Sequence, residues 1–280
     1  MSFDDRCIGV FDSGLGGLTV VRELRQRLPA EHVVYFGDTA RVPYGSKSSQ
    51  VVTLFARQIS EFLLRFDPKL IVVACNTASA TALPDLEKRL DVPVLGVVRP
   101  GAREAVRLAG GRAIAVIATE ATINSDAYRR AIHSLQPGTQ VHQRACPLFV
   151  PAVEEGRASD DPIVAALAEE YLAPLRRLSP AVLVLGCTHY PLLRSAIARA
   201  MGDDVSLVDS AQQTAESVAA ELARRDALTT RRPAGNLLCY VSDNPQRFRE
   251  IGQRFLGHPV VSVTSISLEE LSGAETHTLP

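Results

Sequence analysis

Short apolar runs that alternate with amphipathic segments are the feature that most limits how this chain can fold. LIVVA (residues 70–74) and AVLVLG (residues 181–186) are two of these runs, and each is followed by a segment with helical spacing of apolar residues. Continuously apolar runs are typical of parallel strands that are covered on both faces. The alternation along the whole chain therefore predicts an α/β fold with mostly parallel sheets flanked by helices.

The length of the chain predicts the number of sheets, and its net charge limits the kinds of partner. A chain of 280 residues, 46% of them hydrophobic, contains more strand–helix units than one sheet takes, so we expect two sheets. The net charge of −1 gives no field that would attract nucleic acid or an anionic membrane. An acidic start without a basic leader, and no apolar run of ~18 residues, predict a cytoplasmic protein with no signal peptide and no membrane span.

Glycines after the first apolar run suggest a dinucleotide site, but their spacing does not fit one. DSGLGG occupies residues 12–17, and the third glycine of a GxGxxG motif would fall at Thr19. The segment instead predicts a tight turn at the carboxyl end of a strand, which is where ligands bind in parallel α/β folds. Asp12 and Ser13 are the polar residues that this turn would bring to a site.

Two cysteines occupy matching positions in VVACNTASA (residues 72–80) and VLGCTHYPL (residues 184–192). Cys75 and Cys187 each follow an apolar run and precede a predicted helix, where backbone N–H groups and the helix dipole favour the thiolate and lower the thiol pKa. A single cysteine in such a place is most often a small core residue. Two in equivalent turns, each followed by hydroxyl or amide residues, favour a functional role.

The remaining cysteines, Cys7, Cys146 and Cys239, lack these flanking residues and are predicted to belong to the core. The five cysteines form no CxxC pair, and none has a histidine at zinc-ligand spacing. We therefore expect neither a disulfide framework nor a metal site.

Two thiols that do not pair with each other suggest acid–base chemistry on opposite faces of one carbon. One thiolate would remove a proton and the opposite thiol would return one, which inverts the centre without a metal or an organic cofactor. Pyridoxal phosphate on a lysine is the common alternative for inverting an amino acid. Lys47, Lys69 and Lys88 are the only lysines, and all three are predicted to be exposed, which disfavours that alternative.

Five segments of the sequence resemble those of bacterial glutamate racemases. In chain order they are VFDSGLGGLTV, FGDTARVPYGSKS, ACNTASA, CPLFVPAVEEG and LGCTHYPLL. The resemblance covers nearly the whole chain and weakens after about residue 245. ACNT together with GCTHYPLL is typical of the wider aspartate/glutamate racemase superfamily, whereas FDSGLGGLTV and PYG indicate its glutamate branch.

This resemblance implies a cofactor-independent 1,1-proton transfer that converts L-glutamate to D-glutamate for peptidoglycan. It also implies two similar α/β domains, related by a pseudo-twofold axis, with the active site in the cleft between them. The first domain would be discontinuous, with residues 1–98 and 208–280, and the second would contain residues 99–207. Members of the family are often dimers, so a homodimer is compatible with the resemblance.

The resemblance also assigns roles to individual residues. Cys75 and Cys187 match the two acid–base thiols, Asp12 and His189 match auxiliary residues that each accompany one thiol, and Glu154 matches a third on the His189 side. Hydroxyl and amide donors suit a dianionic substrate. The positions that match substrate-binding residues are Asp12, Ser13, Tyr44, Gly45, Asn76, Thr77, Thr188 and His189.

One segment departs from the family pattern. In IATEATINS, Ala118 stands where the family usually has glycine, and Glu120 adds a negative charge near an anionic substrate. An inward-facing Glu120 would weaken the assignment of Thr119 or Thr122 as substrate ligands, so neither is included among the predicted site residues.

Three other functions are alternatives. An aspartate racemase or related isomerase would use the same thiols on a different acid, whereas a decarboxylase of the superfamily would keep only one of them. A different class is a binding protein that inhibits DNA gyrase, as some family members do. The sequence has no acidic run that would mimic DNA and support this third function.

Overall fold

The strands are short and parallel and are distributed along the whole chain. The structure is a computed structural model that describes residues 4–230 and 233–273. The outermost ends of the predicted first domain, residues 1–3 and 274–280, lie outside this description. The strands are β1 (Ile8–Asp12), β2 (Val33–Gly37), β3 (Leu70–Val73), β4 (Val94–Gly96), β5 (Ile114–Ala118), β6 (Val141–Ala145), β7 (Val182–Gly186), β8 (Ser206–Asp209), β9 (Leu237–Val241) and β10 (Val263–Ser265).

Helices follow nearly every strand, as the alternation of the sequence predicts. Two short 3-10 helices, Tyr44–Ser46 and Tyr190–Leu193, add to them. The α-helices are α1 (Leu18–Arg27), α2 (Ser49–Leu64), α3 (Asn76–Thr81), α4 (Leu83–Arg89), α5 (Val98–Ala109), α6 (Glu120–Asn124), α7 (Ala127–Leu135), α8 (Phe149–Glu154), α9 (Pro162–Arg176), α10 (Arg194–Met201), α11 (Ser210–Arg224), α12 (Pro245–Leu256) and α13 (Leu268–Leu271).

Two parallel sheets form from these strands and share one internal order. The first sheet runs β10-β9-β2-β1-β3-β4 and the second runs β6-β5-β7-β8. Four strands of the first sheet, β2-β1-β3-β4, therefore repeat the order of the whole second sheet. Strands β1, β2, β3, β5 and β7 are buried at every position, as expected for strands covered by helices on both faces.

The repeated order accounts for the resemblance between the two cysteine segments. Cys75 lies just after β3 and Cys187 just after β7, and each of these strands is third in its four-strand unit. Because the carboxyl ends of parallel strands share one edge of a sheet, each thiol lies at the ligand-binding edge of its own sheet.

Helix α11 connects the two sheets. It follows β8 of the second sheet and packs against α1, which belongs to the first sheet, and against α5, which covers the second. Asp209 ends β8 and caps α11, because its carboxylate accepts a hydrogen bond from the N–H of Ala211 at 2.9 Å. The chain thus passes from one sheet to the other at residues 209–210.

The prediction that Lys69 is exposed is wrong. Its side chain is buried at the amino end of β3, and its Nζ lies 2.6 Å from the Glu31 carboxylate. The carbonyl oxygens of Asp4 and Ala227 accept two further hydrogen bonds from the ammonium, each at 2.8 Å. A buried ammonium needs such partners, and no local sequence pattern revealed that three distant segments supply them.

Within the described part of the chain, no helix combines the length and the apolar character needed to cross a membrane.

Candidate active site

A cavity of about 430 Å³ lies where the carboxyl edges of the two sheets face each other. Residues from both sheets line it, and the two predicted thiols are among them. From the predicted site it is lined by Ser13, Tyr44, Gly45, Cys75, Asn76, Thr77, Glu154, Cys187, Thr188 and His189. Asp12 is the one predicted site residue that does not reach the cavity surface.

Cys75 lies at the start of α3 and makes two weak local hydrogen bonds. Its Sγ accepts from the N–H of Ala78 at 3.5 Å and lies 3.7 Å from the hydroxyl oxygen of Ser13. The side chain is 5% exposed, and that surface faces the cavity. The thiol is therefore held in place by its own helix start and by the turn after β1.

The prediction that the helix start lowers the pKa of Cys75 is wrong. Burial raises the pKa of this thiol to about 12, and the negative charge of Asp12 adds to the effect. The hydrogen bond from the N–H of Ala78 and the contact with the Ser13 hydroxyl lower the pKa but do not compensate. Helix α3 has only six residues and offers a small dipole, whereas the loss of water around the sulfur penalises the thiolate strongly.

Cys187 lies on the opposite wall beside a histidine and a carboxylate. Its Sγ lies 4.0 Å from Nδ1 of His189, and Nε2 of His189 lies 2.9 Å from the Glu154 carboxylate. Burial alone would lower the pKa of His189, but its hydrogen bonds to Cys187 and Glu154 outweigh burial and raise it to about 10. His189 therefore carries a proton at neutral pH.

Glu154 is the anionic partner of that imidazolium. Burial favours its neutral form, but the hydrogen bond and the positive charge of His189 prevail and lower its pKa. Its side chain is partly exposed, so solvent screens part of this attraction. The thiol, the imidazolium and the carboxylate thus follow one another, and the carboxylate of Glu154 orients the imidazolium of His189.

Asp12 lies behind the cavity on the Cys75 side. One of its oxygens accepts a hydrogen bond from the N–H of Gly14 at 3.0 Å. Complete burial raises its pKa, which the charge of His189 and the N–H groups of Gly14 and Gly17 partly offset. Its negative charge raises the pKa of Cys75, although Asp12 does not line the cavity.

Tyr44 and Gly45 line the cavity through the short 3-10 helix after β2. The phenol of Tyr44 donates to the buried carboxylate of Asp38, which also accepts from Arg41 and Ser242 at 2.7 and 2.8 Å. The Tyr44 hydroxyl is therefore engaged away from the cavity. Gly45 is needed because a side chain there would come within 2.7 Å of Cβ of Thr119.

Two residues that follow β5 line the cavity and were left out of the predicted site. Thr119 and Glu120 line the cavity, and Thr119 is hydrogen-bonded to Thr77 at 2.9 Å across the two sheets. Thr122 hydrogen-bonds the same Thr77 hydroxyl at 3.2 Å but is buried behind it. Strand β5 occupies in the second sheet the place of β1 in the first, a correspondence that could have pointed to Thr119.

Apolar residues form most of the rest of the cavity wall, and no sequence signal distinguished them. They are Val42, Pro43, Pro147, Val150 and Pro151, and Gly14 and Ser46 complete the lining. In the described part of the chain, no group of three or more histidine, cysteine, aspartate or glutamate side chains is arranged to hold a metal ion.

Comparison with known proteins places this arrangement in a family. The family model "Asp/Glu/Hydantoin racemase" matches residues 8–218. A glutamate racemase of Geobacter metallireducens is 49% identical over 264 residues, which cover 94% of this chain and 97% of that protein. This chain belongs to the glutamate racemases. The resemblance of the five sequence segments is thereby confirmed over most of the chain.

Solved glutamate racemase structures have the same fold. Isoform RacE1 of Bacillus anthracis superposes with a TM-score of 0.91 at 39% identity, covering 95% of this chain and 98% of that one. The enzyme of Francisella tularensis, solved in complex with D-glutamate, gives a TM-score of 0.89 at 39% identity, with 95% and 99% covered. The predicted fold class, two similar α/β units with parallel sheets, is confirmed.

Proposed function

We propose that this chain interconverts L- and D-glutamate by moving the α-proton between Cys75 and Cys187, without a cofactor. The observation that carries the proposal is the placement of the two thiols: they follow equivalent strands of two similar sheets and line one cavity. A substrate held between them would present opposite faces of its α-carbon to the two sulfurs.

The chemistry requires one sulfur as base and the other as acid. One thiolate takes the α-proton and becomes a thiol, and the opposite thiol gives its proton to the other face and becomes a thiolate. The reverse reaction exchanges the two roles. Burial keeps Cys75 a thiol, and protonated His189 lies beside Cys187, so the two sulfurs have different surroundings.

Glutamate fits the lining of the cavity. Hydroxyl groups of Ser13, Thr77 and Thr188, and the amide of Asn76, supply donors for two carboxylates. His189 supplies a positive charge, and Asp12, which does not contact the cavity, is proposed to modulate Cys75. The related enzyme of Francisella tularensis was solved with D-glutamate, which supports the same substrate class here.

The division into domains, the assembly and the cellular role are parts of the same proposal. We take residues 1–98 with 208–280 as one domain and residues 99–207 as the other. The sheet membership of the strands supports this division except at β8 (Ser206–Asp209), a strand of the second sheet that extends past residue 207. D-glutamate made by a cytoplasmic enzyme of this kind would serve peptidoglycan synthesis. A homodimer is proposed only by analogy with the family.

Proton exchange with solvent tests the function directly. The purified chain, given L-glutamate in deuterated water without added cofactor, should produce D-glutamate that carries deuterium at the α-carbon. Circular dichroism follows the inversion, and proton NMR follows the loss of the α-proton signal. Inversion that retains the original proton, or no inversion at all, would refute the two-thiol mechanism.

Cysteine variants separate the thiols from the fold. Cys75→Ala and Cys187→Ala should each lower kcat by about 10²–10⁴-fold, the usual contribution of a general acid or base. Cys7→Ala, which removes a buried thiol outside the cavity, is the matched control and should racemise normally.

Aspartate is the substrate that distinguishes this proposal from its nearest alternative. Under the same conditions, L-aspartate should retain its α-proton. A solved aspartate racemase and a solved aspartate racemase homologue each superpose at 16% identity, which shows a common fold and nothing about substrate.

A further inference from the structure

A tyrosine of the second half of the molecule contacts the residue next to Cys75. Tyr128, in α7, places its hydroxyl oxygen 2.6 Å from Oδ1 of Asn76, at the start of α3. Both side chains are buried, at 1% and 3% exposed. Helix α3 follows β3 of the first sheet, whereas α7 covers the second, so this hydrogen bond joins the two halves beside the cavity.

The direction of the hydrogen bond follows from its length and from burial. A separation of 2.6 Å is typical of an O–H donor with an oxygen acceptor and is short for an amide N–H donor. Burial also raises the pKa of Tyr128, so its hydroxyl keeps the proton. Tyr128 therefore donates, and the carboxamide oxygen of Asn76 accepts.

This bond determines which end of the carboxamide remains available. With Oδ1 held by Tyr128, the Nδ2 group is the free end, and it has no hydrogen-bond partner among the described residues. Asn76 lines the cavity. A buried donor without a partner is unfavourable, and a carboxylate oxygen of a bound substrate would satisfy it.

We propose that Tyr128 is a positioning residue that fixes the carboxamide of Asn76 with its N–H donor available to the substrate. The inference rests on the proposed function, because it takes glutamate as the ligand. Without the phenol hydroxyl, the Asn76 amide could rotate and present its oxygen to a substrate carboxylate, which repels it. A residue of one half of the molecule thus controls a binding group of the other half.

The packing around the phenol allows a clean substitution. Gly101 in α5 lies beside the phenol, and even a Cβ there would make only an ordinary contact with the Tyr128 hydroxyl at 3.4 Å. The ring belongs to the apolar cluster that includes Val98 and Ala102. Tyr128→Phe keeps this ring and removes the hydroxyl, which also interacts with Ser210.

A double-variant cycle tests the proposal. The enzymes compared are the wild type, Tyr128→Phe, Asn76→Ala and the double variant, with kcat and KM for glutamate and the dissociation constant for D-glutamate by calorimetry. Tyr128→Phe should raise KM and the dissociation constant about ten-fold and change kcat less than about two-fold, since it weakens binding rather than proton transfer. In the Asn76→Ala background, Tyr128→Phe should have no further effect on KM or on the dissociation constant.

A matched control and two outcomes make the result decisive. Tyr240→Phe removes the hydroxyl of a tyrosine that packs against Phe62 and Phe66 outside the cavity. It should leave KM and the dissociation constant for D-glutamate unchanged. If Tyr128→Phe changes KM equally in the wild type and in the Asn76→Ala background, the proposal is overturned. A lower melting temperature with unchanged KM would also overturn it, because the contact would then be merely structural. A wild type that binds D-glutamate but does not racemise it would instead refute the proposed function, and the binding cycle would still test Tyr128.

Discussion

At the scale of single residues, the two thiols have unequal surroundings although their sequence segments are alike. Burial and the charge of Asp12 keep Cys75 protonated, whereas Cys187 lies beside an imidazolium. A proton transfer between two groups needs one of them protonated and the other not. For Cys75, burial and the nearby carboxylate favour the protonated state that this chemistry requires of one member of the pair.

The pair of His189 and Glu154 predicts a pH dependence. Because the pKa of His189 is raised, the stability that the pair contributes is fully present below the ordinary value of 6.5 and is lost as the pH rises through about 10. On the acid side, the lowered pKa of Glu154 preserves the pair until the pH falls through that lowered value. Glu154→Gln should lower the pKa of His189 and move the alkaline limb of kcat/KM to lower pH.

Two measurements check this expectation. The pH–rate profile gives the position of the alkaline limb, and proton NMR of the His189 ring gives the imidazole pKa directly. Glu155→Gln, an exposed neighbour with the same change of charge, is the control. An imidazole pKa that is the same in Glu154→Gln as in the wild type would contradict the assigned pairing.

Glu120 predicts an effect on substrate binding. It lines the cavity and its negative charge repels a substrate of net negative charge, so Glu120→Gln should lower KM for glutamate about three-fold at low ionic strength. Added salt should shrink the difference, because screening weakens the repulsion. Glu155→Gln, compared at the same ionic strengths, should leave KM unchanged. A KM that rises in Glu120→Gln would instead indicate a contact that assists binding.

At the scale of elements, the site depends on close approach between segments of the two sheets. The 3-10 helix with Gly45 lies against Thr119, and the turn with Gly16 lies against Thr188. Both glycines are required by space, since a side chain at Gly16 would come within 2.0 Å of the Thr188 hydroxyl. The cavity walls therefore keep their spacing only while these positions lack a Cβ.

Gly45→Ala tests this requirement. The added methyl group would come within 2.7 Å of Cβ of Thr119, so one segment must move and the cavity widens. We expect kcat/KM to fall about ten-fold or more, because displacement of the walls misaligns the substrate. Gly9→Ala is the control, since its methyl group would make only an ordinary contact at 3.4 Å. Equal kinetics for the two variants would contradict the expected clash.

At the scale of the whole molecule, a buried ion pair links distant segments at the end away from the site. Lys69 at the start of β3 joins Glu31, which follows α1, and the backbone at Asp4 and Ala227. Removing one member leaves a buried charge without its partner, which typically destabilises by about 3–5 kcal/mol. This pair therefore contributes to the stability of the first sheet and not to catalysis.

Lys69→Met should accordingly lower the free energy of unfolding by about 3 kcal/mol and leave KM unchanged. The double variant Lys69→Met, Glu31→Gln should be less destabilised than the single one, because no unpaired charge remains. Urea unfolding followed by circular dichroism measures the free energy of unfolding of both variants. KM is measured at urea concentrations below the unfolding transition. A double variant less stable than Lys69→Met would contradict this account.

Much of the fold and of the site could be predicted from the sequence, because the signals are local. Apolar runs such as β3 and β7 are read directly from neighbouring residues, and Cys75 and Cys187 follow them at the edge where parallel sheets bind ligands. The three-residue strand β10 was not predicted, since two of its residues are exposed and it has no apolar run. A short edge strand is determined by its neighbour β9 rather than by its own sequence.

The sequence by itself determined the class of fold, the positions of the two thiols and the family. The tertiary structure alone decided the raised pKa of Cys75, the burial of Lys69, the place of Glu120 in the cavity and the contact of Tyr128 with Asn76. The physical reason is that burial and pairing depend on which distant segments come together. Strand and helix periodicity depends on adjacent residues, whereas the energy of a charge or a hydrogen bond depends on everything that surrounds it in space.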